Sequence, residues 1–238
     1  MSDSKQPQGW EALAEVRRVA VIAAHADDME TMMGGTLIGL RARGATISLL
    51  LATAGDRGSN EPQGTRKTLT AARQDEARAA AAQLGVERVE FLGHPDGELR
   101  PTLGLRAAIA RFYRATQADT VCTFDPGGFL LNHPDHRAVG RTALDALIPA
   151  SMALYHPKQL SDTVARAAVK RVLLWTPATA DVLIDVSPVY EQKLAACLLH
   201  ASQFPDPTRL DWLRGLDGER GKRLGVPYAE GFGLHATF

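Results

Sequence analysis

A short polar segment that directly follows an apolar run constrains this chain more than any other feature. The run covers residues 19–24, and His25-Ala26-Asp27-Asp28 begins where it stops. The pattern predicts a buried strand that ends in a loop and opens a helix. An imidazole and two adjacent carboxylates are poor components of an apolar core, whereas open α/β sheets bind ligands just beyond the carboxyl ends of their strands. The segment therefore predicts a metal site at such an edge.

A second motif of the same kind occurs later in the chain. His133-Pro134-Asp135-His136 follows the strand-like residues 118–124 and begins another helical pattern. Pro134 suits the first turn of a helix. His133 and His136 are three residues apart, so they lean toward the same side of that helix. An isolated motif is also compatible with a solvated helix start, but two such motifs together disfavour that interpretation.

We expect the two motifs to bind one divalent metal through His25, Asp28 and His136. Two imidazoles and one carboxylate form a zinc shell of the catalytic type, in which one position stays open for water. The same donors also suit iron(II) or another divalent ion, so the ligand types leave the metal open.

The residues beside these ligands predict hydrolysis of an amide or ester. Metal-bound water ionises near pH 7, and the hydroxide attacks a carbonyl carbon. Asp27 adjoins the ligand Asp28 and is free to act as the general base. His133 is placed to stabilise the oxyanion or to protonate the leaving amine. Asp135 can accept a hydrogen bond from an imidazole and fix its tautomer.

The composition is typical of one globular domain, and its net charge is unlike that of a nucleic-acid-binding protein. The 238 residues are 45% hydrophobic, which suffices for a full core. Basic and acidic residues both number 27, so the formal net charge is zero. Cys122 and Cys197 lie in apolar patterns and are expected to be reduced core residues. The first residues lack an apolar signal core and no stretch reaches transmembrane length, which predicts a cytoplasmic protein without membrane insertion.

Strand-like segments alternate with helical ones through most of the chain. This predicts an α/β, Rossmann-like, doubly wound and mostly parallel sheet with helices on both faces. Beyond Pro149 the pattern changes, and residues 171–176 and 181–186 are expected to form an added hairpin or edge pair. The tail is rich in glycine and charge, and we expect Trp212 and Leu213 to anchor it.

These motifs resemble those of the LmbE/PIG-L family of zinc-dependent N-acetylglucosaminyl deacetylases. The resemblance spans residues 18–232, so residues 18–238 are predicted to be the deacetylase domain and residues 1–17 an N-terminal extension. Ala26 stands where proline is usual, and the spacing of Glu30 is similar to the bacillithiol-pathway deacetylases. The other matching segments, in family order, are Gly55-Asp56-Arg57-Gly58-Ser59, Arg73 with Glu76, Asp96-Gly97, the second motif, His200-Ala201-Ser202-Gln203 and Tyr228-Ala229-Glu230-Gly231-Phe232.

The resemblance implies removal of an acetyl group from a small-molecule N-acetylglucosaminyl conjugate. It makes His25, Asp28 and His136 the zinc ligands. It makes Asp27 the general base and His133 the acid or oxyanion-stabilising residue.

The resemblance also implies that Arg73 and Asp96 face the polar substrate. Simpler interpretations exist for both residues. Arg73 is spaced to pair with Glu76 on a charged helix face, and Asp96 is a common turn residue before Gly97.

Two other functions stay open at this point. One is a zinc amidase that acts on a thiol conjugate or a longer N-acyl substrate. The other is a non-catalytic nucleotide-binding module, which is disfavoured because the first strand–helix turn lacks a G-x-G-x-x-G run and its carboxylates would repel a pyrophosphate. The sequence leaves open the group attached to the sugar, and it is compatible with a homo-oligomer.

Overall fold

One mixed sheet organises the part of the chain that the computed structural model describes, residues 9–58, 64–128 and 133–237. Its strands are β1 (Arg18–Ala23), β2 (Thr46–Thr53), β3 (Arg88–His94), β4 (Thr120–Phe124), β5 (Arg171–Trp175), β6 (Val182–Asp185) and β7 (Ala229–Ala236). Their order across the sheet is β3-β2-β1-β4-β5-β7-β6. The first five strands are mutually parallel, and β7 runs antiparallel to both of its neighbours.

Helices form two groups around this sheet. Among the described residues they are α1 (Asp28–Ala42), α2 (Arg66–Gln83), α3 (Leu103–Thr116), α4 (Pro134–Asp145), α5 (Leu147–Ser151), α6 (Tyr190–Cys197) and α7 (Asp211–Leu224). The pair α1 and α2 packs against α6, whereas α3 packs against α4 and α5. No described helix combines the length and the apolar content that crossing a bilayer requires.

Local sequence explains where the helices near the site begin. The side chain of Thr65 accepts a hydrogen bond from the Thr68 N–H and begins the alanine-rich α2. Pro134 occupies the first turn of α4, where a missing N–H costs nothing. The second polar motif therefore lies at the start of α4, whereas α2 begins after the loop that follows β2.

The order of the strands reverses between β1 and β4. From β1 the chain moves outward to β2 and β3, and it then returns to β4 on the other side of β1. In a doubly wound sheet this reversal opens a crevice at the carboxyl ends of the two strands. The structure confirms the predicted Rossmann-like fold, and both polar motifs follow the two strands that border the crevice.

The core includes residues that precede β1. Leu13 and Val16 are buried in the main cluster, and the Trp10 side chain donates a hydrogen bond to the Asp185 carbonyl. The division into an extension and a domain stays a prediction. Cys122 and Cys197 are buried free thiols, as predicted.

The predicted pairing of the segments at 171–176 and 181–186 is wrong. Between β5 and β6 lies β7, which pairs with both of them. The tail strand contains Gly231 and Gly233, which have low strand propensity, so its local pattern did not reveal a strand. Of the two predicted tail anchors, Leu213 is buried but Trp212 is 49% exposed.

Candidate active site

The crevice brings the three predicted metal ligands into mutual contact. His25 Nδ1 lies 3.0 Å from His136 Nε2, and His136 Nε2 lies 3.2 Å from Asp28 Oδ1. His25 Nδ1 is 3.7 Å from Asp28 Oδ2. Donor atoms about 2.0–2.2 Å from one tetrahedral metal ion are roughly 3.3–3.5 Å apart. The three side chains therefore border one space, in which His136 faces Asp28 Oδ1 and His25 faces Asp28 Oδ2.

The backbone at the end of β1 fixes the Asp28 carboxylate. Its Oδ2 accepts hydrogen bonds from the N–H groups of Ala24 at 3.0 Å and His25 at 2.8 Å. Burial disfavours the carboxylate, but His136 and His25 outweigh burial and hold the pKa of Asp28 well below its usual value. The ionised form, which metal binding requires, is thus the stable one.

An aromatic ring that the sequence did not single out orients His136. Phe124, the last residue of β4, stacks on the His136 imidazole with ring centroids 3.8 Å apart and an angle of 10°. The sequence feature that points to this role is the position of Phe124 at the end of a strand, directly before a polar loop. Apolar strand residues usually face the core, however, and this one also supports the site.

The second nitrogen of His25 faces two further carboxylates. Its Nε2 lies 3.1 Å from Asp96 Oδ1 and 3.4 Å from Asp135 Oδ2. Asp135 also accepts hydrogen bonds from the N–H groups of Gly97 at 2.7 Å and Leu99 at 3.0 Å, so it joins α4 to the turn after β3. A carboxylate behind a ligating imidazole fixes its tautomer and orientation, which is the predicted role of Asp135.

These carboxylates dominate the electrostatics of His25. Burial lowers its pKa, but Asp135, Asp28 and Asp96 together outweigh burial and raise that pKa to about 12. The His25 imidazole therefore lies in a strongly negative environment.

Asp27 is held by Arg73, which is buried in the protein rather than exposed on a helix face. Arg73 is only 3% exposed, and its Nη2 donates to Asp27 Oδ1 at 3.1 Å. Its Nη1 donates to the Gly55 carbonyl at 3.2 Å. The alternative pairing of Arg73 with Glu76 is wrong, since the Glu76 carboxylate accepts hydrogen bonds from Ser202 instead.

His133 stands at the start of α4 and at the mouth of the crevice. Its Nδ1 accepts a hydrogen bond from the Asp135 N–H at 3.2 Å, so the ring proton lies on Nε2. The side chain is 39% exposed, and Nε2 is 3.8 Å from Asp96 Oδ1. Burial and the nearby His25 and His136 lower the pKa of His133, which favours a neutral ring that donates from Nε2.

Residues 200–203 were predicted only to match the family in sequence. In the structure they contact α1, α2 and the residue Gly58, which follows β2. His200 is fully buried, with Nε2 3.3 Å from Glu30 Oε2 in α1. Ser202 contacts α2 through Glu76. Gln203 Nε2 donates to the Gly58 carbonyl at 2.8 Å. These contacts hold the loop after β2 against Arg73.

The residues at the centre carry an excess of negative charge. Among the described residues, the carboxylates of Asp27, Asp28, Asp96 and Asp135 converge here, and they face the Arg73 guanidinium and the imidazoles of His25 and His136. Buried carboxylates are stable when they are paired or coordinate a metal. The donor set and this charge excess both fit a divalent cation at His25, Asp28 and His136.

Comparison with known proteins gives the same family as the motifs. The family model described as PIG-L, GlcNAc-PI de-N-acetylase, matches residues 20–147, more than half of the chain. Diacetylchitobiose deacetylase of Thermococcus kodakarensis is 30% identical over 224 residues, which cover 93% of this chain and 84% of that protein. A probable N-acetyl-alpha-D-glucosaminyl L-malate deacetylase of Bacillus anthracis is 29% identical over 79% of this chain and 82% of its own length.

A solved structure agrees over nearly the whole chain. N,N'-diacetylchitobiose deacetylase of Pyrococcus horikoshii, in complex with an inhibitor, superposes with a TM-score of 0.89 at 26% identity. The match covers 98% of this chain and 88% of that one. On the motif order, the fold and these matches, the chain belongs to the PIG-L family.

Proposed function

We propose that this protein is a metal-dependent deacetylase that hydrolyses the N-acetyl group of a small N-acetylglucosaminyl conjugate. The observation that carries the proposal is the convergence of His25, Asp28 and His136, with donor atoms 3.0–3.7 Å apart, beside an aspartate that a buried arginine holds in place. The printed names of the relatives support an N-acetylated amino sugar as substrate.

His25, Asp28 and His136 are the residues that would hold the metal. Their two imidazoles and one carboxylate favour zinc, and iron(II) also fits. When bound, such a cation supplies Lewis acidity that polarises the amide carbonyl.

Residues of the chain accept the proton of the attacking water and donate a hydrogen bond to the carbonyl oxygen. Asp27 accepts a proton from the water that adds to the amide carbon, and Arg73 keeps its carboxylate oriented. The Nε2–H of His133 donates toward the carbonyl oxygen as negative charge develops there. When the C–N bond breaks, the leaving nitrogen takes the proton that Asp27 accepted, and the products are the free amine of the sugar and acetic acid, which ionises to acetate.

Asp96 stays a predicted substrate contact. Its Oδ1 faces His25, and its Oδ2 lies 3.8 Å from Arg73 Nη1. We expect Oδ2 to accept a hydrogen bond from a sugar hydroxyl. A longer N-acyl group is the competing substrate class, and an acetate assay run beside N-butyryl and N-octanoyl glucosamine distinguishes the two.

Metal binding at this site predicts that zinc raises the Tm of the protein and that the rise depends on the His136 imidazole. Zinc added to metal-stripped protein at about 100 times its Kd stabilises the fold by about 2.7 kcal/mol, because the ion binds the folded state. We expect a clear rise in Tm for the wild type and none for His136→Ala at the same zinc concentration. His235→Ala, which removes an exposed imidazole on β7, is the matched control and keeps the full shift. An equal shift in His136→Ala contradicts the assignment.

Substitution of Arg73 distinguishes a role in orienting Asp27 from a role in contacting the substrate. If Arg73 acts by orienting Asp27, Arg73→Lys lowers kcat by about tenfold or more with little change in KM, because an ammonium cannot keep both the Asp27 and the Gly55 contacts. Steady-state acetate release measures both constants. A rise in KM at unchanged kcat favours the substrate-contact role instead.

A further inference from the structure

Phe124 forms a flat apolar wall behind one of the three metal ligands. Its ring stacks on the His136 imidazole, with centroids 3.8 Å apart and planes inclined by 10°. The Nε2 atom of the same imidazole faces Asp28 Oδ1 at 3.2 Å and His25 Nδ1 at 3.0 Å. The imidazole therefore presents its edge to the proposed metal position and its face to Phe124.

A glycine of α4 allows this stacking. Gly140 lies four residues after His136, so the two residues lie on the same side of the helix. A Cβ at Gly140 would lie 2.2 Å from the Phe124 carbonyl oxygen, a backbone atom with little freedom to move. Only glycine lets α4 lie this close to the end of β4, and this approach brings His136 over the Phe124 ring.

Trp175 holds the Phe124 ring in place. The two residues are neighbours across β4 and β5, and their rings are nearly perpendicular, with centroids 5.0 Å apart. The Trp175 side chain also donates to Met33 Sδ at 3.3 Å, in the helix that begins with Asp28. Phe124 and Trp175 are each 1% exposed, so close packing leaves the Phe124 ring little freedom to turn.

Such a stack stabilises a metal-bound imidazole more than a free one. The face of a phenyl ring carries partial negative charge and attracts a positively charged group. A cation bound at Nε2 withdraws electron density from the His136 imidazole, so the face that lies on Phe124 becomes more positive. An interaction that is stronger in the metal-bound form than in the free form raises the affinity for the metal.

We propose that Phe124 is a positioning residue that strengthens metal binding through His136. This inference rests on the metal site of the proposed function. It goes beyond that proposal because it assigns part of the metal affinity to an apolar side chain that offers no ligand atom.

The test compares zinc affinity in two matched variants, Phe124→Leu and Phe112→Leu. Both residues are buried phenylalanines, and Phe112 lies in α3, a helix that carries none of the predicted ligands. We expect Phe124→Leu to raise the zinc Kd by about tenfold, the lower end of the effect of losing a group that supports a ligand. Phe112→Leu should keep the wild-type Kd within about twofold, although both variants lose stability because the core contact shrinks.

Competition with a chromophoric chelator measures the zinc Kd at a temperature where every variant is folded, and thermal unfolding measures stability separately. The cobalt(II) form adds a readout that a purely structural role would not change. Its visible absorption depends on the geometry of the ligands, so we expect a changed spectrum for Phe124→Leu and the wild-type spectrum for Phe112→Leu. Equal Kd values and spectra for the two variants overturn the inference, since Phe124 would then contribute to stability alone.

His136→Ala distinguishes a failure of this inference from a failure of the proposed function. Removal of the ligand should weaken zinc binding far more than Phe124→Leu does. If His136→Ala binds zinc as the wild type does, the metal site itself is wrong and the inference fails with it. If His136→Ala loses zinc while Phe124→Leu keeps the wild-type affinity, only the role of Phe124 is wrong.

Discussion

Asp27→Asn is expected to lower kcat for acetate release by about 10²–10⁴-fold, the usual contribution of a positioned general base. The amide has nearly the shape of the carboxylate but cannot accept the proton of the attacking water. Asp27 is not among the three converging ligand atoms, so the purified variant should hold as much metal as the wild type. Acetate release and elemental analysis on the same sample measure the two quantities together.

Asp75→Asn is the matched control, since Asp75 is an exposed aspartate of α2 whose ion pair within the described part of the chain is with Arg78. It should leave both kcat and metal content unchanged. Full turnover by Asp27→Asn would remove Asp27 as the base. A loss of metal along with activity would show instead that Asp27 belongs to the metal shell.

Lys193→Met is expected to lower the free energy of unfolding by about 3–5 kcal/mol. Lys193 is fully buried, with Nζ 2.5 Å from Asp217 and 2.8 Å from Glu230. Burial disfavours the ammonium, but the two carboxylates outweigh burial and raise the pKa of Lys193. Methionine keeps the apolar stem and removes the charge, which takes the Lys193 cation from the buried Glu230 and leaves Asp217 with Arg220 at 3.4 Å.

For a chain of this length the loss corresponds to a fall in Tm of roughly 6–20 °C. Denaturant titration and thermal unfolding measure it. The control is Lys222→Met, because Lys222 pairs with Glu219 on the exposed side of α7 and such pairs contribute about 0–1 kcal/mol. Equal stability of Lys193→Met and Lys222→Met would contradict the account of the buried network.

This network also supports the active site from a distance. Glu230 accepts hydrogen bonds from the N–H groups of Gly35 at 3.0 Å and Thr36 at 2.7 Å. Both follow Met33, where α1 departs from helical geometry and leaves N–H groups without intrahelical partners. The carboxylate therefore caps the second half of the helix whose first residue is Asp28.

The start of α4 and the first five strands were predictable because they follow from local sequence. Apolar runs alternate with amphipathic segments, and Pro134 marks a helix start within one residue. The placement of both polar motifs at the carboxyl ends of parallel strands then follows from how such sheets are built. The same reasoning predicts His25, Asp28 and His136 at one site.

The partner of each polar side chain was not predictable, because it depends on contacts between residues far apart in sequence. Arg73 and Glu76 are correctly spaced for an ion pair on one helix, yet Arg73 turns inward to Asp27 and Glu76 binds Ser202. Likewise, the insertion of β7 between β5 and β6 is a long-range pairing of a glycine-rich segment.

The sequence by itself determined the fold class and the family, and it predicts which residues carry the chemistry, since these are encoded in local periodicity and in two short motifs. Only the tertiary structure decided which groups hold those residues in place, namely Arg73 for Asp27, Asp135 for His25 and Phe124 for His136. It also decided that Trp212 is half exposed rather than buried in the core. The physical reason is that a side chain's surroundings are set by packing among elements distant in sequence, which local pattern does not encode.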